Sequence, residues 1–128
     1  MVALDKETVA VCLLDDDPSV LRATSRLLDS VGWKVNAFND PTKFLEHAAT
    51  HCPDVAIIDI LMPDMNGLEV QARLRRVSPA TRVVMLTARD DPSVRRMAMN
   101  AGASAFFIKG VEGGEFLAGV KATSDSTN

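Results

Sequence analysis

Apolar runs of strand length alternate along this chain with segments whose apolar residues recur at helical spacing. Five short runs, partly β-branched and bounded by turn-forming residues, predict β-strands. Each run is followed by a segment whose pattern predicts an α-helix. The predicted strands cover residues 9–14, 33–38, 54–58, 82–86 and 104–108.

Aspartate-proline pairs mark the starts of three predicted helices. Aspartate caps the free N–H groups of a first helical turn, and proline suits the first helical position. The pairs place the caps of the first, second and fourth helices at Asp17, Asp40 and Asp91. The matching helix terminators are Gly32, Pro53 and Gly102, and the third and fifth helices are predicted over residues 68–77 and 112–122.

The apolar stripes of these helices are expected to face a core. The inward positions include Val31 in the first helix, Val77 in the third, and Met97 and Ala101 in the fourth. Residues 123–128 are polar and are expected to form a frayed C-terminal tail. The sequence therefore predicts one domain over residues 7–122, followed by that tail.

Five strand-helix units in series predict an α/β fold. The expected architecture is a doubly wound, five-stranded parallel sheet of the flavodoxin-like type, with strand order 2-1-3-4-5 and helices on both faces. Strand 3 is then central, between strands 1 and 4. Ligands of such sheets bind at the carboxyl ends of the strands, and the polar residues at those ends become the candidate site.

Polar side chains close four of the predicted strands. Asp15 and Asp16 follow strand 1, Asp59 ends strand 3, Thr87 ends strand 4 and Lys109 ends strand 5. Because parallel strands present their carboxyl ends on one rim, these groups are expected to converge there.

The chemistry of this rim favours a metal ion and a phosphoryl group. Gathered carboxylates are costly to bury without a compensating charge, and hard oxygen ligands suit Mg²⁺. A central Asp59 can attack phosphorus as a nucleophile and form an aspartyl phosphate. Lys109 and the metal ion offset the negative charge, and Thr87 can hydrogen-bond a phosphoryl oxygen.

Composition excludes several other classes of function. The 128 residues carry a net charge of −3, which gives no support to direct nucleic-acid binding. Two cysteines, Cys12 and Cys52, make neither a disulfide framework nor a four-ligand zinc site. No apolar run approaches the roughly 20 residues of a membrane helix, and no signal peptide is visible, so the cytosol is the expected compartment.

Four motifs together resemble the receiver domain of two-component response regulators. They cover residues 13–20 (LLDDDPSV), 59–69 (DILMPDMNGLE), 85–88 (MLTA) and 101–109 (AGASAFFIK). The resemblance extends over residues 7–122, and the motifs occur in the order of that family.

The resemblance implies a phosphorylation-dependent signalling switch rather than a turnover enzyme. Asp59 would accept the phosphoryl group of a phosphohistidine on a sensor histidine kinase or phosphotransfer protein. Mg²⁺ would be held by the Asp16 and Asp59 side chains and the Leu61 backbone carbonyl, with Asp15 acting mostly through water. The remaining functional residues would be Thr87 and Lys109, which bind the phosphoryl group, and Phe106, which is the aromatic switch.

The resemblance also implies partners. An output partner is expected at the surface of helix 4, strand 5 and helix 5, and a homodimer is compatible with the resemblance.

Two departures from the family pattern carry expectations of their own. Gly110 stands where the family has a proline, often after a cis bond, so we expect a trans 109–110 bond. Leu61 and Arg89 occupy positions that help set the rate of phosphoryl hydrolysis in the family. An apolar Leu61 should hold an attacking water poorly, so slow self-dephosphorylation is expected.

Alternative functions require residues that this sequence lacks at the corresponding positions. A phosphatase or phosphotransferase of haloacid-dehalogenase type has a second acid two residues after its nucleophile, where this chain has Leu61. A flavodoxin-like cofactor binder needs a loop rich in Ser, Thr and Gly after strand 1, where this chain has three aspartates. His47 and His51 are a candidate metal pair, but no third ligand is evident and surface histidines are the favoured interpretation.

Overall fold

The computed structural model describes residues 8–63 and 66–125, which form a five-stranded parallel sheet in the order β2-β1-β3-β4-β5. This order confirms the sequence prediction. β3 lies at the centre, between β1 and β4, and all five of its residues are buried. The strands are β1 (Ala10–Leu14), β2 (Lys34–Phe38), β3 (Val55–Asp59), β4 (Arg82–Thr87) and β5 (Ala105–Ile108).

Five helices connect and follow the strands. Asp17, Asp40 and Asp91 cap the first, second and fourth, and each side chain accepts a hydrogen bond from the backbone N–H two residues later. The three predicted caps are therefore confirmed. The helices are α1 (Pro18–Asp29), α2 (Pro41–His51), α3 (Gly67–Val77), α4 (Pro92–Asn100) and α5 (Gly113–Asp125).

The sheet separates two apolar cores, because successive strand side chains point to opposite faces. Ala56 and Ile58 of β3 join the core beneath α2, α3 and α4, whereas Val55 and Ile57 join the core beneath α1 and α5. A central strand covered on both faces needs an unbroken apolar run, which this chain supplies up to Asp59. The first polar side chain of β3 therefore appears at its carboxyl end.

Four residues predicted to face a core are exposed, and the fourth of them, Ala101, lies beyond the end of α4 at Asn100. Val31 lies beyond the end of α1 at Asp29, and Val77 is the last residue of α3. Met97 is 51% exposed, because α4 turns Val94 and Ala98 toward the core instead. The inward stripe of α4 thus consists of smaller residues than the pattern indicated.

The C-terminal helix is longer than predicted. α5 runs to Asp125, so the expectation of a helix end at 122 with fraying from 123 is wrong for residues 123–125. Thr123 is buried and its hydroxyl donates to the Gly119 carbonyl, while Lys121 pairs with Asp125 across one turn. Residue 7, at the predicted domain start, and tail residues 126–128 lie outside the described residues.

The backbone beyond β5 agrees with the expected trans bond. No cis peptide occurs within residues 8–63 and 66–125, which include the 109–110 bond. Gly110 has a φ of +95°, a conformation that a side chain would strain. Within the same residues, no helix is long and apolar enough to cross a membrane.

Candidate functional site

Three carboxylates meet at the carboxyl edge of the sheet. Asp15, Asp16 and Asp59 each offer an oxygen within 4.8 Å of the others, and we call them the acidic cluster. Asp15 is fully buried and Asp59 is 2% exposed, whereas Asp16 faces solvent. Residues from two adjacent strand ends thus come together, as the sequence predicted.

Lys109 reaches two members of the acidic cluster. Its Nζ lies 2.9 Å from Oδ2 of Asp15 and 3.3 Å from Oδ2 of Asp59. The backbone positions it, because the Lys109 N–H donates to the Thr87 carbonyl at 2.7 Å as β5 ends. One ammonium group therefore faces two buried carboxylates.

Local hydrogen bonds orient the buried carboxylates. The Asp17 N–H donates to Oδ1 of Asp15 at 3.0 Å, and the Leu61 N–H donates to Oδ1 of Asp59 at 3.3 Å. In each case the donor lies two residues beyond the acid, where the chain turns after its strand. This leaves Oδ2 of both acids for Lys109.

Gly67 lies against the backbone of the central aspartate. A Cβ at this position would lie 2.6 Å from the Asp59 carbonyl oxygen and 2.7 Å from the Cα of Ile60. The Gly67 N–H donates to the Ile60 carbonyl at 2.8 Å, which closes the loop after β3. Only glycine fits this close approach.

Burial and like charge shift the titration of the site. Burial, followed by the negative charge of Asp15, raises the pKa of Asp59 to about 6, although Lys109 opposes the shift. Burial by itself lowers the pKa of Lys109, but its contacts with Asp15 and Asp59 outweigh burial and raise the pKa above its ordinary value. The site carries more negative charge than one lysine neutralises.

The acidic cluster fits a small divalent cation. Mg²⁺ takes carboxylate oxygens at about 2.0–2.1 Å and retains several waters, so oxygens within 4.8 Å of one another need small adjustments to share an ion. The exposed Asp16 gives access from solvent, and a bound cation would offset the burial and the Asp15 charge that raise the pKa of Asp59. For Leu61 the structure places the N–H against Asp59, and metal binding by its carbonyl stays a prediction.

Comparison with known proteins identifies the family. The sequence model of the family described as response regulator receiver domain matches residues 11–121. This chain belongs to the response regulator receiver domain family. It is a receiver domain of two-component systems, in which such domains pair with histidine kinases.

Curated relatives of the receiver domain are longer than this chain. The transcriptional regulatory protein KdpE of Mycobacterium tuberculosis is 38% identical over 112 residues, which are 88% of this chain and 49% of that protein. The response regulator MprA of Mycobacterium leprae is 35% identical over the same shares. The chain spans about half the length of the curated relatives it matches.

Solved structures share the fold of the receiver domain. A CheY-like receiver domain from Methanospirillum hungatei JF-1 superposes with a TM-score of 0.86 at 25% identity, covering 93% of this chain and 95% of that one. The receiver domain of the putative response regulator NarL from M. tuberculosis gives 0.85 at 32% identity, with 95% and 100% covered. The haloacid-dehalogenase alternative is not favoured by these findings.

Thr87 and Phe106 occupy different surroundings in the receiver domain. Thr87 is buried at the end of β4, and its Oγ1 accepts the Arg89 N–H at 3.3 Å. Phe106 is half-buried on β5, packs against the core beneath α4, and lies under the guanidinium of Arg95. The structure thus places Thr87 on the rim and Phe106 beside α4.

Sequence reasoning missed a polar contact between α3 and α4. Gln71 is fully buried, and its Nε2 donates to the Ala98 carbonyl at 3.3 Å. Its Oε1 has no hydrogen-bond partner within residues 8–63 and 66–125. Arg75 donates to the Ala101 carbonyl at 2.8 Å, so two side chains of α3 hold the end of α4. The helical spacing from Gly67 through Gln71 to Leu74 would have revealed the inward position.

The two histidines of the receiver domain lie together on α2. Their ring centroids are 4.1 Å apart with nearly parallel planes. Burial, followed by the charge of His51, lowers the pKa of His47. The prediction of surface histidines agrees with the exposure of His51, while His47 is half-buried.

Proposed function

We propose that this receiver domain is a signalling switch whose Asp59 accepts a phosphoryl group from a phosphohistidine of a partner histidine kinase or phosphotransfer protein. The observation that carries the proposal is the contact of Lys109 Nζ with both Asp59 and Asp15 at the edge where Asp16 also converges. Transfer of a phosphoryl group requires positioning and neutralisation of charge more than covalent chemistry by the protein.

In the proposed reaction a carboxylate oxygen of Asp59 attacks phosphorus in line with the departing nitrogen. A P–O bond forms as the P–N bond of the phosphohistidine breaks, and the bonding electron pair leaves with the imidazole nitrogen. The Leu61 N–H holds Oδ1 of Asp59, which fixes the direction of the carboxylate. Lys109 would exchange its contact with the Asp59 carboxylate for a contact with a phosphoryl oxygen.

Asp15, Asp16 and Asp59 would hold Mg²⁺, together with the Leu61 carbonyl. When bound, the ion supplies positive charge against the phosphoryl oxygens as negative charge builds up on them. Two of the carboxylates are buried, so an anionic phosphoryl group would otherwise be repelled. The roles of all four residues follow from the family resemblance and the fit of the acidic cluster.

Phosphorylation would act through Thr87 and Phe106. The new group adds nearly two negative charges at neutral pH. The Thr87 hydroxyl, which now accepts the Arg89 N–H, would donate to a phosphoryl oxygen, and Phe106 would turn inward into the space that Thr87 leaves. The outcome would be a changed surface at α4, β5 and α5, where an output partner binds.

The energy scale favours a partner-assisted switch. Converting a population ratio of 1:99 into 99:1 takes about 5.5 kcal/mol of differential stabilisation. One charge-assisted hydrogen bond contributes roughly 1.5–3 kcal/mol. The output partner would therefore supply part of the stabilisation of the active state.

The domain would promote its own phosphorylation and slow dephosphorylation without turning over a separate substrate. Leu61 is 53% exposed and apolar, and with Thr87 and Arg89 it lines a cavity of about 80 Å³. An apolar side chain there offers no hydrogen bond to an attacking water. The proposal also includes three further expectations. The domain acts in the cytosol, it makes no direct contact with nucleic acid, and it can form a homodimer.

Intact mass tests the proposal. The protein is incubated with acetyl phosphate and Mg²⁺, and the expected result is the gain of one phosphoryl group by the wild type and none by Asp59→Asn. Asp17→Asn is the matched control, because asparagine retains the cap of α1 and should be phosphorylated normally. Chelation of Mg²⁺ should abolish the gain. Phosphorylation of Asp59→Asn to the wild-type extent would overturn the proposal.

A further inference from the structure

Two imidazole rings are stacked on one face of α2. The centroids of His47 and His51 lie 4.1 Å apart, with 12° between the ring planes. Residues four apart are neighbours on a helix, so the backbone of α2 holds the two side chains side by side. We call these two residues the histidine pair.

Neighbouring groups orient the histidine pair. The Phe38 ring lies 5.1 Å from the His47 ring, so His47 is placed between Phe38 and His51. Nδ1 of His51 lies 3.1 Å from the His47 carbonyl oxygen. When that nitrogen carries the proton, Nε2 keeps its lone pair for a ligand. Donation of the other ring N–H to a backbone carbonyl is the common arrangement of metal-bound histidine.

We propose that His47 and His51 form a bidentate site for a borderline first-row divalent ion such as Zn²⁺, Cu²⁺ or Ni²⁺. Two histidines at i and i+4 on a helix supply the zinc ligands of the HExxH motif. Residues 47–51 read His-Ala-Ala-Thr-His, so the glutamate base of that motif is absent and binding without hydrolysis follows.

The rings must reorient to share an ion. Metal–nitrogen bonds are about 2.0–2.1 Å, so the stacked rings must tilt until both Nε2 lone pairs converge. The χ2 torsion of histidine is broad, and His51 faces solvent. Water completes the coordination, because the acidic cluster is the one group with three ligating side chains in the described parts of the chain.

The ligand chemistry separates this site from the acidic cluster. Imidazole suits Zn²⁺, Cu²⁺ and Ni²⁺, whereas Mg²⁺ prefers carboxylate and water oxygens. The two sites of the molecule are therefore expected to select different ions. The proposal is independent of phosphorylation at Asp59.

Paramagnetic Ni²⁺ tests the site. The protein carries Cys52→Ser, because the exposed thiol next to His51 could bind the same ion, and excess Mg²⁺ occupies the acidic cluster. Amide resonances are followed as Ni²⁺ is added. The expected result is line broadening centred on α2, with affinity at least tenfold weaker in both His47→Asn and His51→Asn. Glu46→Gln, the matched control beside His47, should bind as the parent does.

Several outcomes would overturn the proposal. They are broadening centred on the acidic cluster, loss of affinity in only one histidine variant, or an equal loss in Glu46→Gln. If an asparagine variant fails to fold, the parent protein at about pH 5 supplies a second measurement, because protonated imidazoles do not bind metal. Broadening of α2 that persists there would also contradict the site.

Discussion

The guanidinium carbon of Arg95 lies 4.8 Å from the centre of the Phe106 ring. This cation–π contact joins α4 to β5 across the surface where an output partner is proposed to bind. Its ring belongs to the proposed aromatic switch. The contact therefore stabilises the half-buried position of Phe106 seen in this structure.

Removal of this contact should weaken the folded state slightly. Arg95→Ala is expected to lower the free energy of unfolding by about 0.5–1 kcal/mol, the usual contribution of an exposed cation–π pair. Urea unfolding at constant pH measures the change. Arg96→Ala is the matched control, because Arg96 is an exposed neighbour on the same helix. Equal effects of the two substitutions would contradict the role of the Phe106 ring.

The pKa of Asp59 predicts how stability depends on pH without Mg²⁺. Its pKa is raised to about 6 in the folded protein, from an ordinary value of 3.8. Between these values the folded state binds more protons than the unfolded state, so the Asp59 contribution to stability falls as pH rises. Lys109 does not act in this window, since its raised pKa lies above 10.5 and its contribution is lost only at higher pH.

Asp59→Asn should remove that pH dependence. Because one pKa unit corresponds to 1.36 kcal/mol, the rise of Asp59 from 3.8 to about 6 sets an upper bound of about 3 kcal/mol, by which the variant is expected to exceed the stability of the wild type at pH 8 in chelator. Thermal unfolding from pH 4 to pH 8 gives the comparison. A variant less stable than the wild type at pH 8 would show that Lys109 gains more from Asp59 than burial costs.

Gly67→Ala should damage both stability and phosphorylation. The added Cβ would lie 2.6 Å from the Asp59 carbonyl oxygen, a backbone atom that cannot move aside without shifting the site. Overpacking of this kind costs about 1–3 kcal/mol. Denaturant unfolding and the yield of phosphoprotein are the two measurements.

Gly113→Ala is the matched control for Gly67. Both glycines begin a helix, but the Cβ at Gly113 would meet only the two methyl groups of Leu27, at 3.3 and 3.7 Å. Alanine is the better helix former, so a neutral or slightly stabilising effect is expected there. Equal losses at both positions would argue against the backbone clash at Asp59.

Leu61 is expected to slow the loss of the phosphoryl group. Leu61→Asn should shorten the phosphoryl half-life severalfold, because an amide can hydrogen-bond an attacking water, whereas Leu61→Met should leave the half-life nearly unchanged. Mass spectrometry after removal of the phosphodonor follows the decay. A wild-type half-life of only seconds would refute the expectation.

Much of the fold could be predicted from the sequence, because local chemistry determines it. The unbroken apolar run before Asp59 required a strand covered on both faces, and the aspartate-proline pairs fixed three helix starts through contacts two residues apart. The C-terminal ends of helices were predicted less well. α5 continues to Asp125 because Thr123 is buried and Lys121 pairs with Asp125, which no propensity in that polar segment indicates.

The sequence by itself determined which polar groups reach the carboxyl edge of the sheet, because strand alternation and right-handed connections leave few other arrangements. Tertiary structure alone decided that Lys109 contacts both Asp15 and Asp59, that Gly67 lies against the Asp59 backbone, and that α4 exposes Met97. Side-chain periodicity is a local property, so it can be recognised directly as a pattern in the sequence. Distances of a few ångströms between segments far apart in the chain arise only when the helices pack on the sheet.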